Sequence, residues 1–184
     1  QLVNDAGQLA GWQNPNSASF TANAAIAPDG TMTATLFKPT TGTAVVQQQN
    51  HGGNITVVFS AFVKTAGYRY VGLGVHGPSS GSVIFDIIDG TVAYSPYSTT
   101  SGDLIPTIIK YPNGWFRVAV KAIGTTNQLN GYHTLHINNH PTENTHWYGG
   151  SNNLTDFNSG IYVWGINKTE GSTLSSPIIL NEGN

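Results

Sequence analysis

A tryptophan and an arginine alternate with apolar residues in the segment Trp115–Lys121. A β-strand sends successive side chains to opposite faces, which directs Phe116 and Val118 toward a core. Trp115 and Arg117 then share the face away from that core. The C–H faces of sugars pack on aromatic rings, and guanidinium groups donate paired hydrogen bonds to hydroxyl and carboxylate oxygens. The segment therefore predicts one strand of a sugar-binding surface.

The same alternation rule places four further side chains on the non-core faces of other predicted strands. Trp147 and Tyr148 lie in the polar stretch His140–Ser159, and loops of that length in a small domain are often functional. The predicted ligand-binding residues are therefore Trp115, Arg117, Tyr70, Phe62, Lys64, Asp86, Trp147 and Tyr148.

A packing role would account for the same side chains. A neighbouring subunit or a loop that crosses the sheet would cover them, and Asp86 and Arg117 would form an internal ion pair. Tyr162 and Trp164 are predicted on one face together with Ile166, and this pattern favours a structural role for them.

Catalysis by a pair of carboxylates is disfavoured. A glycosidase needs two such groups about 5 to 9.5 Å apart. Asp29 and Asp89 belong to Asp-Gly turns, where the side chain bonds local backbone, and only Asp86 lies within a predicted strand. No Gly-x-Ser-x-Gly nucleophile motif and no glycine-rich phosphate loop are present. We therefore expect a domain that is not an enzyme.

Metal binding is weakly indicated. His133 and His136 are three residues apart, so in one strand they face opposite ways and do not chelate one ion. A structural calcium ion, held by Asn4, Asp5 and Glu170 near the termini, is compatible with the oxygen ligands that calcium prefers. No cofactor is expected to be required.

Composition restricts the partners. The chain has 184 residues, a net charge of −2 and only 9% charged residues, so no basic field exists to hold nucleic acid. Its apolar stretches are far shorter than a membrane span. Cysteine is absent, while Asn, Thr, Ser and Gly are abundant. This composition is typical of extracellular or virion β-proteins, and nucleic acid and membrane are not expected as partners.

Alternating segments recur along the chain with turn signals between them. They include Thr31–Phe37, Asn54–Lys64 and Gly160–Asn167, and Ser172–Leu180 is predicted to return along a sheet edge. No helical periodicity extends beyond a turn or two. We therefore predict an all-β fold, a single jelly-roll β-sandwich of two antiparallel sheets, over residues 1–184. Because the chain begins with Gln1, this domain is expected to be cut from a longer multidomain protein.

Several short motifs occur in an order that matches a known family. They are Ala25-Ile-Ala-Pro-Asp-Gly-Thr-Met-Thr-Ala34, Phe59-Ser-Ala-Phe-Val-Lys64, Gly67-Tyr-Arg-Tyr-Val71, Phe85-Asp86 with Gly90-Thr-Val92, Gly114-Trp-Phe-Arg-Val118, and Gly160-Ile-Tyr-Val-Trp-Gly165 followed by Glu170-Gly-Ser172. From about Leu2 to Pro177, the chain resembles the carbohydrate-binding-module-like jelly-roll domain of phage tail fibre and tailspike proteins and of polysaccharide-degrading enzymes.

The resemblance implies a non-catalytic module that binds a polysaccharide or oligosaccharide, such as a glycan of a bacterial surface. The expected location is extracellular or in a virion tail. Two alternatives stay open: a structural domain that stabilises a homotrimeric tail fibre, and a small glycoside hydrolase or lyase. The family supplies no invariant ligand residues, so the predicted site depends on strand faces alone.

Overall fold

The protein is described here from a computed structural model. It describes residues 11–16, 18–49, 55–76, 81–95, 104–125, 132–142, 153–171 and 174. Within these ranges nearly every element is a strand, and the only helical element is the 3-10 turn Pro112–Gly114. No helix in the described ranges is long and apolar enough to cross a bilayer.

Twelve strands form in these ranges. In chain order they are β1 (Gln13–Asn16), β2 (Ala18–Ala25), β3 (Ala34–Pro39), β4 (Val45–Gln49), β5 (Ile55–Ala66), β6 (Tyr70–His76), β7 (Gly81–Asp86), β8 (Thr91–Tyr94), β9 (Leu104–Lys110), β10 (Phe116–Thr125), β11 (Tyr132–Asn138) and β12 (Gly160–Glu170). Sheet I has the order β1-β4-β11-β6-β7-β8, and sheet II has the order β2-β3-β12-β5-β10-β9. All pairings between these strands are antiparallel, and the chain repeatedly crosses from one sheet to the other, so the predicted all-β sandwich of two antiparallel sheets is confirmed.

The main core lies between the two sheets. Most strands contribute alternate apolar side chains to it, as β5 does with Val57, Phe59, Ala61 and Val63. This is the face that alternation in Asn54–Lys64 predicts. The opposite face of each sheet is called its outer face below.

A bulge in β12 changes which residues face the core. The pairing of β12 with β5 shifts register between Trp164 and Asn167, and Gly165 between them has a φ of 56°. That left-handed conformation suits glycine and is typical of a bulge. Ile166 consequently packs against the main core, while Trp164 stays on the outer face. The prediction that Tyr162, Trp164 and Ile166 share one face was therefore wrong for Ile166.

Residues 26–33, here called the strap, join β2 to β3. The carboxylate of Asp29 accepts hydrogen bonds from the N–H of Thr31 at 2.9 Å and from its hydroxyl at 2.7 Å. The N–H of Ala27 donates to the carbonyl of Thr31 at 2.7 Å. These bonds close a tight turn, so the predicted strand Thr31–Phe37 in fact begins at Ala34.

Candidate functional site

The predicted ligand-binding residues lie on two different sheets. Alternation indicates the face of a strand but not the sheet to which the strand belongs. Phe62 and Lys64 on β5 and Trp115 and Arg117 at the start of β10 belong to sheet II, whereas Tyr70 on β6 and Asp86 on β7 belong to sheet I. Trp147 and Tyr148 lie outside the described residues. The six described residues therefore form two groups and not one surface.

Trp115 is buried on the outer face of sheet II. It lies between the 3-10 turn Pro112–Gly114 and the first residue of β10, and only 1% of its surface is exposed. Its indole Nε1 donates a hydrogen bond of 3.1 Å to the carbonyl oxygen of Ile26 in the strap. A loop that crosses the sheet thus covers Trp115, which is one of the packing alternatives expected from the sequence.

The strap closes over a second, smaller apolar cluster. This aromatic cluster consists of Phe62, Tyr111, Trp115, Tyr162 and Trp164, with small residues of the strap and its flanks packed against it. The ring of Phe62 meets the rings of Tyr111 and Trp164 edge to face, at centroid distances of 5.0 and 5.5 Å. Trp164 Nε1 donates to the Thr33 hydroxyl at 3.0 Å. Two indole hydrogen bonds therefore fix the two ends of the strap.

Arg117 lies directly opposite Phe62 in the β10–β5 ladder. Its guanidinium carbon lies 5.4 Å from the centroid of the Phe62 ring, which is a cation–π distance. Arg117 is buried, while Lys64 beside it is half-buried and opposes Tyr162. These aromatic and cationic side chains predicted to hold a sugar thus lie close together, and the strap covers Trp115 among them.

Asp86 forms its ion pair with Arg69 and not with Arg117. Arg69 Nε donates to Asp86 Oδ2 at 2.8 Å, and its Nη2 also reaches Asp89 Oδ2. Asp86 Oδ1 accepts the backbone N–H groups of Ile88 and Asp89 at 3.0 and 3.1 Å. Asp86 therefore holds the β7–β8 turn and anchors it to the residue that precedes β6.

These contacts set the protonation state of Asp86. Burial alone would raise the pKa of its carboxyl. The hydrogen bond from Arg69, the N–H groups of Asp89 and Ile88, and the charge of Arg69 outweigh burial and hold this pKa below its ordinary value. Hydrogen bonds from Ser159 and Asn158 likewise lower the pKa of Asp156. Neither carboxyl is suited to act as a general acid, since that role needs a raised pKa.

The outer face of sheet I has a different chemistry. Its buried polar residues are Gln47, Ser82, Thr134, His136 and Asn138, all at most 4% exposed. Residues opposite one another across the strands form three rows. The first is Gln13–Gln47–Thr134–Gly74–Ser82, the second is Val45–His136–Gly72–Ile84–Tyr94, and the third is Asn138–Tyr70–Asp86–Thr91. The outer face of sheet I is therefore polar but shielded from solvent at these positions. Burying polar groups is unfavourable unless they are paired.

The imidazole ring of His136 lies over Gly72 on this face. A Cβ atom built on Gly72 would overlap the imidazole ring of His136, so only glycine leaves room for the ring there. His133, on the opposite side of β11, packs its ring edge to face against Phe59 in the core at 5.6 Å. The prediction that these two histidines face opposite ways is confirmed.

At the end of β11 the chain turns back beside this face. Asn138 Nδ2 donates to the carbonyl oxygens of His140 and Thr142, at 3.0 and 3.2 Å. Tyr70, next to Asn138 in the third row, is half-buried, and the guanidinium of Arg69 lies 5.6 Å from its ring centroid. The third row therefore contains both an amide with a fixed orientation and a partly accessible aromatic ring.

Metal ligands are not gathered anywhere in the described part of the chain, where no group of three His, Asp or Glu side chains could hold an ion. Of the residues predicted as calcium ligands, Asn4 and Asp5 lie outside the described ranges, and Glu170 is exposed at the end of β12.

Sequence reasoning missed the polar rows on sheet I. Gln47, Thr134 and Asn138 carry no motif, and their face is defined only when β4, β11 and β6 become neighbours. One signal was available. Gly72 and Gly74 occupy successive non-core positions of β6, between the apolar Val71 and Leu73. Glycines on one face of a strand leave space for other groups to approach the backbone.

The two outer faces thus differ. The outer face of sheet II contains an apolar cluster that the strap covers, whereas the outer face of sheet I is polar and has tyrosines at its ends. The chain matches no model of a known protein family, and no curated protein matches it either.

Proposed function

We propose that this β-sandwich is a non-catalytic carbohydrate-binding domain and that its ligand binds the outer face of sheet I. One observation carries the proposal: the face outside the main core includes amide, hydroxyl and imidazole side chains beside the apolar Val45 and Ile84. Amide, hydroxyl and imidazole groups are the kinds of groups that exchange hydrogen bonds with sugar hydroxyls. Tyr70 adds a ring for stacking at the end of the face.

The residues of sheet II support this choice by contrast. Trp115 and Phe62 belong to one apolar cluster, and the strap accepts the indole N–H hydrogen bond of Trp115 from within the chain. A sugar would have to displace the strap to stack on these rings. Tyr70 and Asp86 are therefore the predicted ligand-binding residues that we retain, with Tyr70 as the contact and Asp86 as the group that positions it.

A binding role, rather than hydrolysis or lyase chemistry, agrees with the carboxylates. Asp86 and Asp89 are both paired with Arg69, and the pKa of Asp86 lies below its ordinary value. Glycosidases instead keep one carboxyl protonated near neutral pH. The ligand that we propose is an extracellular glycan, such as a bacterial surface polysaccharide, bound for a larger phage tail protein or polysaccharide-degrading enzyme.

The test is a glycan array followed by calorimetric titration of any glycan that binds. Tyr70→Ala is expected to weaken binding at least about tenfold, which corresponds to the loss of one stacked ring. Trp115→Phe is the matched control on the other sheet and is expected to bind normally. Failure of the unaltered domain to bind any bacterial, algal or plant glycan would overturn the proposal.

A second function, a structural domain that assembles a homotrimeric tail fibre, is favoured by a separate observation. Ile105 and Ile109 lie on the outer face of the edge strand β9 and are 44% and 41% exposed, and Ile123 on β10 is 36% exposed. Exposed apolar groups of this kind often mark a subunit interface. Light scattering decides between the two functions: a trimer that Ile109→Lys converts to a monomer supports the structural role, and a monomeric unaltered domain excludes it.

A further inference from the structure

We propose that Lys64 is the cationic centre of a second binding site, on the outer face of sheet II, for the carboxylate of an acidic sugar such as a uronic acid. Tyr111 and Tyr162 flank the lysine and supply aromatic rings and hydroxyl groups. The inference goes beyond the proposed function, because it concerns the opposite sheet, other residues and a charged ligand. Loss of one site therefore leaves the other intact.

The surface around Lys64 is open to solvent. Lys64, Tyr111 and Tyr162 are each half-buried, and the turn Pro112–Gly114 beside them has no buried residue. The strap buries Trp115 and its neighbour Phe62, but it leaves part of the lysine and of both tyrosines exposed. A ligand therefore touches these three side chains without displacing the strap.

The register of sheet II frames Lys64 between the two tyrosines. Tyr162 on β12 lies directly opposite Lys64 on β5, so their Cβ atoms are about 5 Å apart. On the other side, a Cβ atom built on Gly114 would lie 3.7 Å from Lys64 Cε, so the lysine side chain extends toward the 3-10 turn. Tyr111 precedes that turn, and its ring meets the ring of Phe62 at a centroid distance of 5.0 Å.

The polar groups of this site are not used within the described part of the chain. Lys64 takes part in no ion pair or hydrogen bond there, and the hydroxyl groups of Tyr111 and Tyr162 have no hydrogen-bond partner there. An ammonium group has three N–H donors, and each phenol both donates and accepts. This set of groups matches a carboxylate with neighbouring hydroxyl groups, and the two rings suit the C–H face of a sugar.

Positive charge is concentrated on sheet II. Its strands contain only one acidic residue, Glu170 at the end of β12, whereas the described strands of sheet I contain no Lys or Arg. The net charge of −2 conceals this separation. The potential over sheet II therefore favours an anionic ligand. Six of the seven Lys and Arg residues belong to its strands, namely Lys38, Lys64, Lys110, Arg117, Lys121 and Lys168.

Calorimetric titration of the intact domain with alginate and with polygalacturonate tests the inference. At least one of these carboxylated polysaccharides is expected to bind, and to bind more weakly at physiological than at low salt, because salt screens the attraction between charges. The comparison probes are dextran, which is neutral, poly-L-glutamate, which has carboxylates but no sugar rings, and single-stranded DNA. Binding of neither acidic polysaccharide, or equal affinity for any comparison probe, would overturn the inference.

The variant Lys64→Met tests the cation directly, since methionine keeps most of the aliphatic stem and removes the ammonium. Affinity for the acidic polysaccharide is expected to fall at least about tenfold, as for the loss of a charged hydrogen bond. Tyr162→Phe removes only a hydroxyl group and is expected to lower the affinity about threefold. Unchanged binding by Lys64→Met would contradict the assignment.

Lys121→Met is the matched control. Lys121 is also half-buried on the outer face of sheet II, but it lies opposite Val58 and Ile105 instead of a tyrosine. Its replacement should change the affinity less than about twofold, as expected for an isolated surface charge. Equal losses in Lys64→Met and Lys121→Met would indicate attraction by the sheet as a whole and would exclude a site at Lys64.

Tyr70→Ala separates this site from the one proposed on sheet I. The variant is expected to bind the acidic polysaccharide normally, because Tyr70 belongs to the opposite sheet. Binding that Tyr70→Ala abolishes and Lys64→Met leaves intact would overturn the inference and support the site on sheet I.

A second measurement uses the unaltered protein, in case Lys64→Met does not fold. Acetylation of lysines by N-hydroxysuccinimide acetate, followed by mass spectrometry, reports the accessibility of each ammonium group. The acidic polysaccharide at saturation is expected to protect Lys64 and to leave Lys121 reactive. Equal acetylation of Lys64 with and without the polysaccharide would overturn the inference.

Discussion

The indole N–H of Trp115 donates a hydrogen bond to the carbonyl oxygen of Ile26, across 89 positions of the chain. A tryptophan at a binding surface usually keeps this donor for a ligand or for water. Here a backbone carbonyl of the same chain accepts the hydrogen bond, and the ring of Trp115 is buried together with Phe62. Trp115 therefore anchors the strap to sheet II through this hydrogen bond.

The substitution Trp115→Phe should destabilise the domain. It removes the donor to Ile26 and leaves space beside Phe62, so the free energy of unfolding should fall by about 1–3 kcal/mol. Urea unfolding followed by circular dichroism measures the change. Phe157→Ala, at a position 46% exposed, is the control and should change stability by less than about 0.5 kcal/mol. If the variant kept its stability but lost glycan binding, Trp115 would have to be a ligand-binding residue.

The substitution Asp86→Asn should destabilise the domain in a pH-dependent way. The pKa of Asp86 is lower in the folded protein than its value of about 3.9 in an unfolded chain. The resulting stabilisation is therefore fully present above that unfolded value and is lost as the pH falls through the folded pKa. At pH 7 the variant should lose about 1–3 kcal/mol, because charged hydrogen bonds to backbone N–H groups are weakened.

Urea unfolding of the unaltered protein and of Asp86→Asn, measured from pH 7 down to pH 2, checks this sign. The difference between the two proteins should shrink below about pH 4, as Asp86 of the unaltered protein becomes protonated. Glu170→Gln, at an exposed position, serves as the control and should change stability at pH 7 by less than about 0.5 kcal/mol. A difference that grows toward low pH would contradict the assignment.

The substitution Gly72→Ala should disturb the outer face of sheet I. Its added methyl group would overlap the imidazole of His136, and the ring would have to leave its place over β6. Overpacking of this kind costs about 1–3 kcal/mol. Gly42→Ala is the matched control, because a Cβ there would meet its nearest neighbour, the carbonyl of Leu154, only at 4.0 Å. Equal stability of the two variants would show that His136 is free to move aside.

The bulge in β12 gives a test based on backbone conformation. Gly165 has a φ of 56°, so a β-branched residue is strained there, whereas asparagine tolerates this region. Gly165→Val should lower the free energy of unfolding by at least about 1–2 kcal/mol, and Gly165→Asn by less. Equal losses would indicate that contact with Phe62, and not backbone strain, decides the tolerance of the site.

Alternation predicted the faces of single strands well. In β5 it assigned Val57 and Phe59 to the core and Phe62 to the outer face, as the structure has them. The period of two is a local property, so the sequence alone contains it. The sheet to which a strand belongs depends instead on pairing with segments that are distant in the sequence. Tyr70 and Trp115 were grouped in one site because both are outer-face residues, yet they belong to sheets on opposite sides of the core.

The remaining errors have local physical causes. One residue with positive φ, Gly165, moved Ile166 to the other face of β12, and no period of two anticipates such a bulge. The Asp29 turn kept Thr31 out of β3 through bonds to the aspartate side chain. The short strand β1 (Gln13–Asn16) contains Pro15 and no alternation, so it was not predicted.

The strap also constrains the order in which the chain folds. Its two anchoring bonds connect Trp115 to Ile26 and Trp164 to Thr33, pairs that are 89 and 131 positions apart in the chain. We therefore expect both bonds to form only after β10 and β12 have joined sheet II. Contacts of such long sequence separation form slowly, because closing the intervening loops is entropically unfavourable. Docking of the strap is thus a late event in refolding, and the fluorescence of Trp115 and Trp164 is its natural reporter.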